Sequence, residues 1–296
     1  KVWNDADNQD GIRTSSVTIK LLADDEDTGK TVTLNADNQW TAVFEDLDVN
    51  KAGQEIEYTV EEAKVPDGYK ATVTGTAEDG YVVTNTHVVE KTEVPVQKVW
   101  NDADNQDGIR TSSVTVKLLA DGEDTGKTVT LNADNQWTAV FEDLDVNKAG
   151  QEIEYAVEET EVPAGYKVQV TGTAADGYVV TNTHEVEKTE VSGSKFWNDA
   201  NNQDGIRPTE ITINLLANGV VKVTEIIRPD ADGNWSWIFD NLDKFADGLE
   251  IEYTITEEAV EGYETTVDGY DVTNTHEVAK TEVPVQKVWN DADNQD

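Results

Sequence analysis

KVWNDADNQD opens the chain at Lys1, returns at Lys98 and again at Lys287, and appears as KFWNDANNQD at Lys195. The intervals are 97, 97 and 92 residues. Solenoid units run to roughly 50 residues, whereas a two-sheet sandwich needs about 100. The spacing therefore predicts independent domains in tandem: repeat one over 1–90, repeat two over 91–187 and repeat three over 188–279. Residues 280–296 are left as a linker and the first-strand start of a fourth repeat, too short to fold alone. Repeats one and two are nearly identical, so their agreement reports duplication. Repeat three is shorter in one place: 16 positions separate Tyr69 from Asn85, but 11 separate Tyr263 from Asn274. That stretch reads as a length-tolerant hairpin.

Inside one repeat, short runs of Val, Ile, Thr, Tyr and Trp alternate with polar residues and are divided by Asp, Asn and Gly clusters. No long amphipathic helix can be drawn. The expected strands of repeat one are 1–4, 15–23, 31–35, 39–45, 55–63, 70–75 and 81–87, an all-β pattern that suits a two-sheet sandwich. The joints between repeats, such as 88–92, are short and charged with few glycines, and are expected to be modestly stiff.

Composition excludes several functions. Of 296 residues, 22 are basic and 61 acidic, a net charge of -39, while a nucleic-acid partner needs a basic face. No apolar run approaches the roughly 20 residues of a membrane span, so membrane insertion is not expected. The absence of Cys removes disulfides and thiolate chemistry, so any covalent staple must be built otherwise. Without Met, signal peptide or sorting segment, the sequence reads as an internal piece of a longer chain.

Side chains two apart on a strand share a face, which exposes polar residues in the wrong phase. Val94, Val96, Lys98 and Trp100 share one phase. So do Ile56, Tyr58, Val60 and Glu62, with Ile153, Tyr155, Val157, Glu159 and Ile251, Tyr253, Ile255, Glu257 repeating the pattern. On the last strand Tyr81, Val83 and Asn85 align, as do Tyr178, Val180, Asn182 and Tyr270, Val272, Asn274. Each polar group alone reads as a strand-end residue reaching water. A Lys, a Glu and an Asn facing one core make burial costly unless they serve each other. An apolar core favours a neutral, nucleophilic amine and a proton-holding carboxyl. Such an amine can attack the Asn carboxamide, with the acid shuttling protons until ammonia leaves. The reaction runs once per domain and is not enzymatic turnover.

These motifs, K-V-W-N-D, D-N-Q-D-G-I-R, E-Y-T-V-E-E followed by P-D-G-Y, and V-T-N-T-H, resemble the B-type repeats of collagen adhesin, the Cna-B-type domains. The resemblance covers every repeat. It implies a prealbumin-like, inverse-immunoglobulin sandwich used in tandem as the stalk of a cell-wall-anchored, extracellular Gram-positive surface protein. It further implies Lys–Asn isopeptide bonds with acidic catalysts: Lys1 to Asn85 with Glu62, Lys98 to Asn182 with Glu159, and Lys195 to Asn274 with Glu257. Glu61, Glu158 and Glu258 are out of phase and weaker candidates. Repeat one lacks the residues that Val94 and Val96 supply to repeat two, and repeat three has Gly193 in place of Val96. The expected partners are neighbouring repeats, with any host or matrix ligand taken by other domains of the parent protein. No cofactor is expected.

Two other readings stay open. An adhesin segment could itself bind a ligand, and the loop 4–11 could hold calcium through Asp5, Asp7 and Asp10, although its spacing is not that of an EF-hand. A polar turn satisfying its own backbone is the simpler reading of the loop. His87, His184 and His276 lack the companions of a triad or zinc site and read as strand-end residues. The eight Trp read mainly as core, and Arg13, Arg110 and Arg207 are placed to pair with the acidic loop.

Overall fold

The segment SVTVKLLA puts a branched or aliphatic residue at every second position, and in the computed structural model Ser113–Ala120 is a strand with Val114, Val116 and Leu118 buried. The structure describes residues 1–290; the end of the fourth-repeat start, 291–296, lies outside them. All regular elements among the described residues are strands.

Two compact units divide the chain: Lys1–Trp100 with Thr111–Thr183, and Asn101–Arg110 with the residues from His184 onward. In the first unit, one sheet orders Thr138–Asp145, Lys91–Asn101, Gly177–Thr183 and Lys167–Thr173, and a second orders Glu123–Asn132, Ser113–Ala120 and Tyr155–Glu159. Val94, Val96, Phe141 and Val180 from one sheet meet Val116, Leu118, Leu131 and Val157 from the other, giving the dry core of a sandwich. The second unit repeats this plan. Ser236–Asp243, Lys188–Asn198, Asp271–Thr275 and Glu264–Asp268 face Val220–Ile227, Ile211–Ala217 and Tyr253–Glu257, around Val191, Ile213, Leu215, Trp237 and Val272.

Repeat one, also in the first unit, has sheets of three strands each: Val2–Asn4, Gly80–Thr86, Lys70–Thr76, and Glu26–Asn35, Ser16–Ala23, Tyr58–Glu62. The strand expected over 39–45 forms no ladder here. Its counterpart Thr138–Asp145 pairs with Lys91–Gln97, antiparallel, and residues 41–45 have no such neighbour. Two further expectations change. The strand expected over 31–35 runs from Glu26 to Asn35, and each repeat adds a small hairpin, Asn50–Lys51 with Gln54–Glu55 in the first. The expected linker 88–92 is shorter still, because the strand of repeat two already begins at Lys91.

First and last strands of a repeat lie side by side and parallel. Val2, Trp3 and Asn4 face Thr84, Asn85 and Thr86, and Lys195, Phe196, Trp197 and Asn198 face Val272, Thr273, Asn274 and Thr275. A parallel pair cannot be closed by a tight turn. The rest of the domain is the connection.

Candidate cross-linking sites

Strand alternation carries the three polar residues inward, and the parallel pairing brings the first and last strands into register. Glu62, Glu159 and Glu257 end the strands Tyr58–Glu62, Tyr155–Glu159 and Tyr253–Glu257 of the opposing sheet. In repeat one the Lys1 Nζ lies 3.0 Å from Glu62 Oε2, and the Asn85 amide donates to Glu62 Oε1 at 3.1 Å. In repeat two Lys98 Nζ is 3.4 Å from Glu159 Oε2, and Asn182 donates to Glu159 Oε1 at 3.0 Å. One carboxylate thus lies between amine and carboxamide, an oxygen toward each, while in repeat two the amine donates a hydrogen bond to the Val180 carbonyl at 3.3 Å.

Repeat three differs in detail. Lys195 Nζ lies 2.7 Å from Glu257 Oε1, off the line a hydrogen bond needs, and Thr265 donates its hydroxyl to Glu257 Oε2 at 3.0 Å. Neither polar atom of the Asn274 side chain has a hydrogen-bond partner. All three Asn residues are completely buried, and in each the carboxamide oxygen is unpartnered. A buried orphan acceptor costs about 1–3 kcal/mol, so three in equivalent positions need a reason.

The surroundings act on the amines. Every Lys and Glu side chain of the three pairs is at most 1% exposed, and each ammonium lies over an indole: Lys1 on Trp3, Lys98 on Trp100 and Lys195 on Trp197, at 4.8, 4.5 and 4.7 Å. Burial pushes the Lys1 and Lys195 amines below their ordinary value, and the adjacent Glu62 and Glu257 only partly oppose it. The out-of-phase acids are elsewhere: Glu61, Glu158 and Glu258 are exposed, with Glu61 and Glu158 bound to Lys20 and Lys117.

The acidic loop does not gather its carboxylates. Asp5 accepts both Nε and Nη2 of Arg13, at 3.0 and 2.5 Å, and the Tyr69 hydroxyl at 2.7 Å. Those bonds, Arg13 foremost, hold the Asp5 carboxyl down at about 2 despite its burial. Asp10 turns to His87, Oδ2 to Nε2 at 2.7 Å, and Asp7 is exposed. Among the described residues no three His, Cys, Asp or Glu side chains are placed to hold a metal ion. Asp199 with Arg207 and Tyr263 repeats the arrangement in the second unit. The expected Arg pairing is thus present. The His–Asp pairs went unforeseen, since 77 residues separate His87 from Asp10 and no local pattern signals them. Trp3 packs edge-on against Trp40 and Tyr69, at 5.4 and 5.0 Å between ring centroids.

Tandem two-sheet sandwiches, each closing a Lys, a Glu and an Asn into its core, define a protein of repeated β-domains. The chain belongs to the Cna protein B-type domain family, whose model matches residues 1–86, 94–183 and 191–275. The collagen adhesin of Staphylococcus aureus is 40% identical over the whole of this chain, which spans 24% of that protein's length. A crystal structure of two B repeat units of the collagen-binding protein of Staphylococcus aureus matches with a TM-score of 0.59 and 38% identity, covering 93% of this chain and 71% of that one. The fold is accordingly the prealbumin-like sandwich, and the family is one of adhesin repeat domains rather than enzymes.

Proposed function

We propose that the chain is a stalk segment of a cell-wall-anchored bacterial surface protein, and that each repeat locks itself with a Lys–Asn isopeptide bond. The observation that carries this reading is the carboxylate lying between an amine and a carboxamide in a buried core, twice over. The folding units are 1–90, 91–187 and 188–279. The relative's name makes collagen the ligand of that protein; for this chain, any host or matrix ligand is taken by other domains of the parent protein.

The chemistry balances with the groups at hand. Glu159 takes a proton from the Lys98 ammonium, freeing the lone pair. With the carboxamide turned about its Cβ–Cγ bond, that proton polarises the Asn182 oxygen while Nζ attacks Cγ. The new N–C bond forms, the C–Nδ2 bond breaks after Glu159 has relayed a proton from Nζ to Nδ2, and ammonia leaves. The last ammonium proton stays on Glu159. Lys1 with Glu62 and Asn85, and Lys195 with Glu257 and Asn274, follow the same course.

Joining first and last strands closes a loop of about 80 residues, worth roughly 4–5 kcal/mol on the chain-entropy account used for disulfides. The bond also survives reduction. Tension applied to the chain ends enters one of the tied strands and leaves by the other, so the domain between carries little load.

Each bond releases ammonia, about 17 Da, when the amine replaces the amide nitrogen. The intact mass of the denatured protein is expected to fall short by three such units, and Glu159→Ala is expected to restore one. A full calculated mass would reject the cross-linked stalk.

A further inference from the structure

The loop 5–11 does more than close on itself. Gln9 accepts the backbone N–H of Gly150 at 2.8 Å, and Asp10 Oδ1 accepts from the Asn147 amide at 3.4 Å. Gly150 turns the small hairpin Asn147–Lys148 with Gln151–Glu152 of repeat two. Gly11 lies so close that a Cβ there would stand 2.5 Å from the Gly150 Cα. Meanwhile Asp10 Oδ2 receives His87 Nε2 and the Glu90 N–H at 2.9 Å, and the Glu90 carbonyl accepts from Val146 at 3.2 Å. Loop, linker and hairpin are thus bonded to one another.

The same contact forms in the second unit. Gly248 N–H donates to the Gln106 carbonyl at 3.0 Å, a Cβ on Gly108 would come 2.4 Å from the Gly248 Cα, and Asp107 takes His184 and the Glu187 N–H. Two further copies of the parts have no such contact among the described residues. Hairpin Asn50–Lys51 with Gln54–Glu55 and loop 199–205 have the same glycine conformations, φ +83° at Gly53 and +72° at Gly205, with nothing within 4 Å of either would-be Cβ. Docking therefore uses surfaces already shaped, at small ordering cost.

We propose that the acidic loop is an inter-repeat lock: its partner is the glycine hairpin of the following repeat, and the two backbones seat against each other so that repeats one and two hold a fixed mutual orientation instead of hanging on a tether. The loop's glycine is required by the close approach as well as by its positive φ. The His–Asp pair pins linker to loop. This lock is separate from the Lys–Glu–Asn chemistry and stands or falls without it.

The full chain provides its own controls. Amide exchange followed by NMR is expected to be slowed at least about tenfold at Gly150 and Gly248 relative to Gly53. Equal rates would overturn the lock. For orientation, spin labels on Glu26→Cys and Glu123→Cys, in a chain with no Cys of its own, report the distance distribution between repeats one and two by double electron–electron resonance. It is expected to be narrow, to broaden in Gly11→Ala and to stay narrow in Gly205→Ala, which carries the same backbone strain without the contact. A second pair, Gly150→Ala against Gly53→Ala, repeats the comparison from the hairpin side should Gly11→Ala unfold repeat one. A broad distribution in the parent, or equal broadening in the paired variants, would refute the proposal.

Discussion

Lys98 and Glu159 show how a buried pair constrains its own replacement. Removing one partner strands the other in an apolar core, which costs about 3–5 kcal/mol, whereas replacing both with apolar residues of similar size is often nearly neutral. Lys98→Met is therefore expected to lower the urea midpoint of repeat two more than Lys98→Met with Glu159→Leu. Neither variant can form the proposed cross-link, so the difference isolates the stranded charge. Asp5 gives a second test. Its folded-state value of about 2 lies below the ordinary carboxylate value of about 3.9, so its stabilisation is complete above the ordinary value and fades as pH falls through about 2. Asp5→Asn is expected to cost repeat one about 2 kcal/mol at neutral pH and almost nothing near pH 2. Denaturant titrations at the two pH values check it.

Single elements explain what could be foreseen. Strand phase alone turned Lys98, Glu159 and Asn182 toward one core, and all three are buried. Period-two patterning is a strong signal wherever one face is dry. The small hairpin Asn147–Lys148 with Gln151–Glu152 went unforeseen because two-residue strands carry no periodicity, and 39–45 was misjudged because a correct strand pattern makes a strand only beside a partner. That Glu62 and Glu159 each touch both amine and amide was not legible either; it depends on how two sheets pack. The hairpin Lys167–Thr173 with Gly177–Thr183 rests on Gly172, φ +102°, where a Cβ would meet the Gly177 carbonyl at 2.2 Å. Gly172→Ala is expected to destabilise repeat two by about 1–3 kcal/mol, read from its thermal unfolding.

Across the whole molecule the repeats are not equally braced. The buried core of repeat one centres on Val17, Ile19, Leu34 and Val83, fewer residues than line repeats two and three. Val43 and Val49 are exposed. Hydrogen exchange with mass readout is expected to find 41–49 exchanging well before Thr138–Asp145, with repeat one the first to open on heating. Similar protection of the two segments would contradict this.

The hairpin that shortens from Lys70–Thr76 with Gly80–Thr86 to Glu264–Asp268 with Asp271–Thr275 bears on protein engineering. Its length varies while the strand carrying the buried Asn stays paired at its base. The tip is therefore a graft point: a foreign peptide inserted between Thr173 and Gly177 would be held by two strands and displayed on a scaffold that contains no thiol to protect.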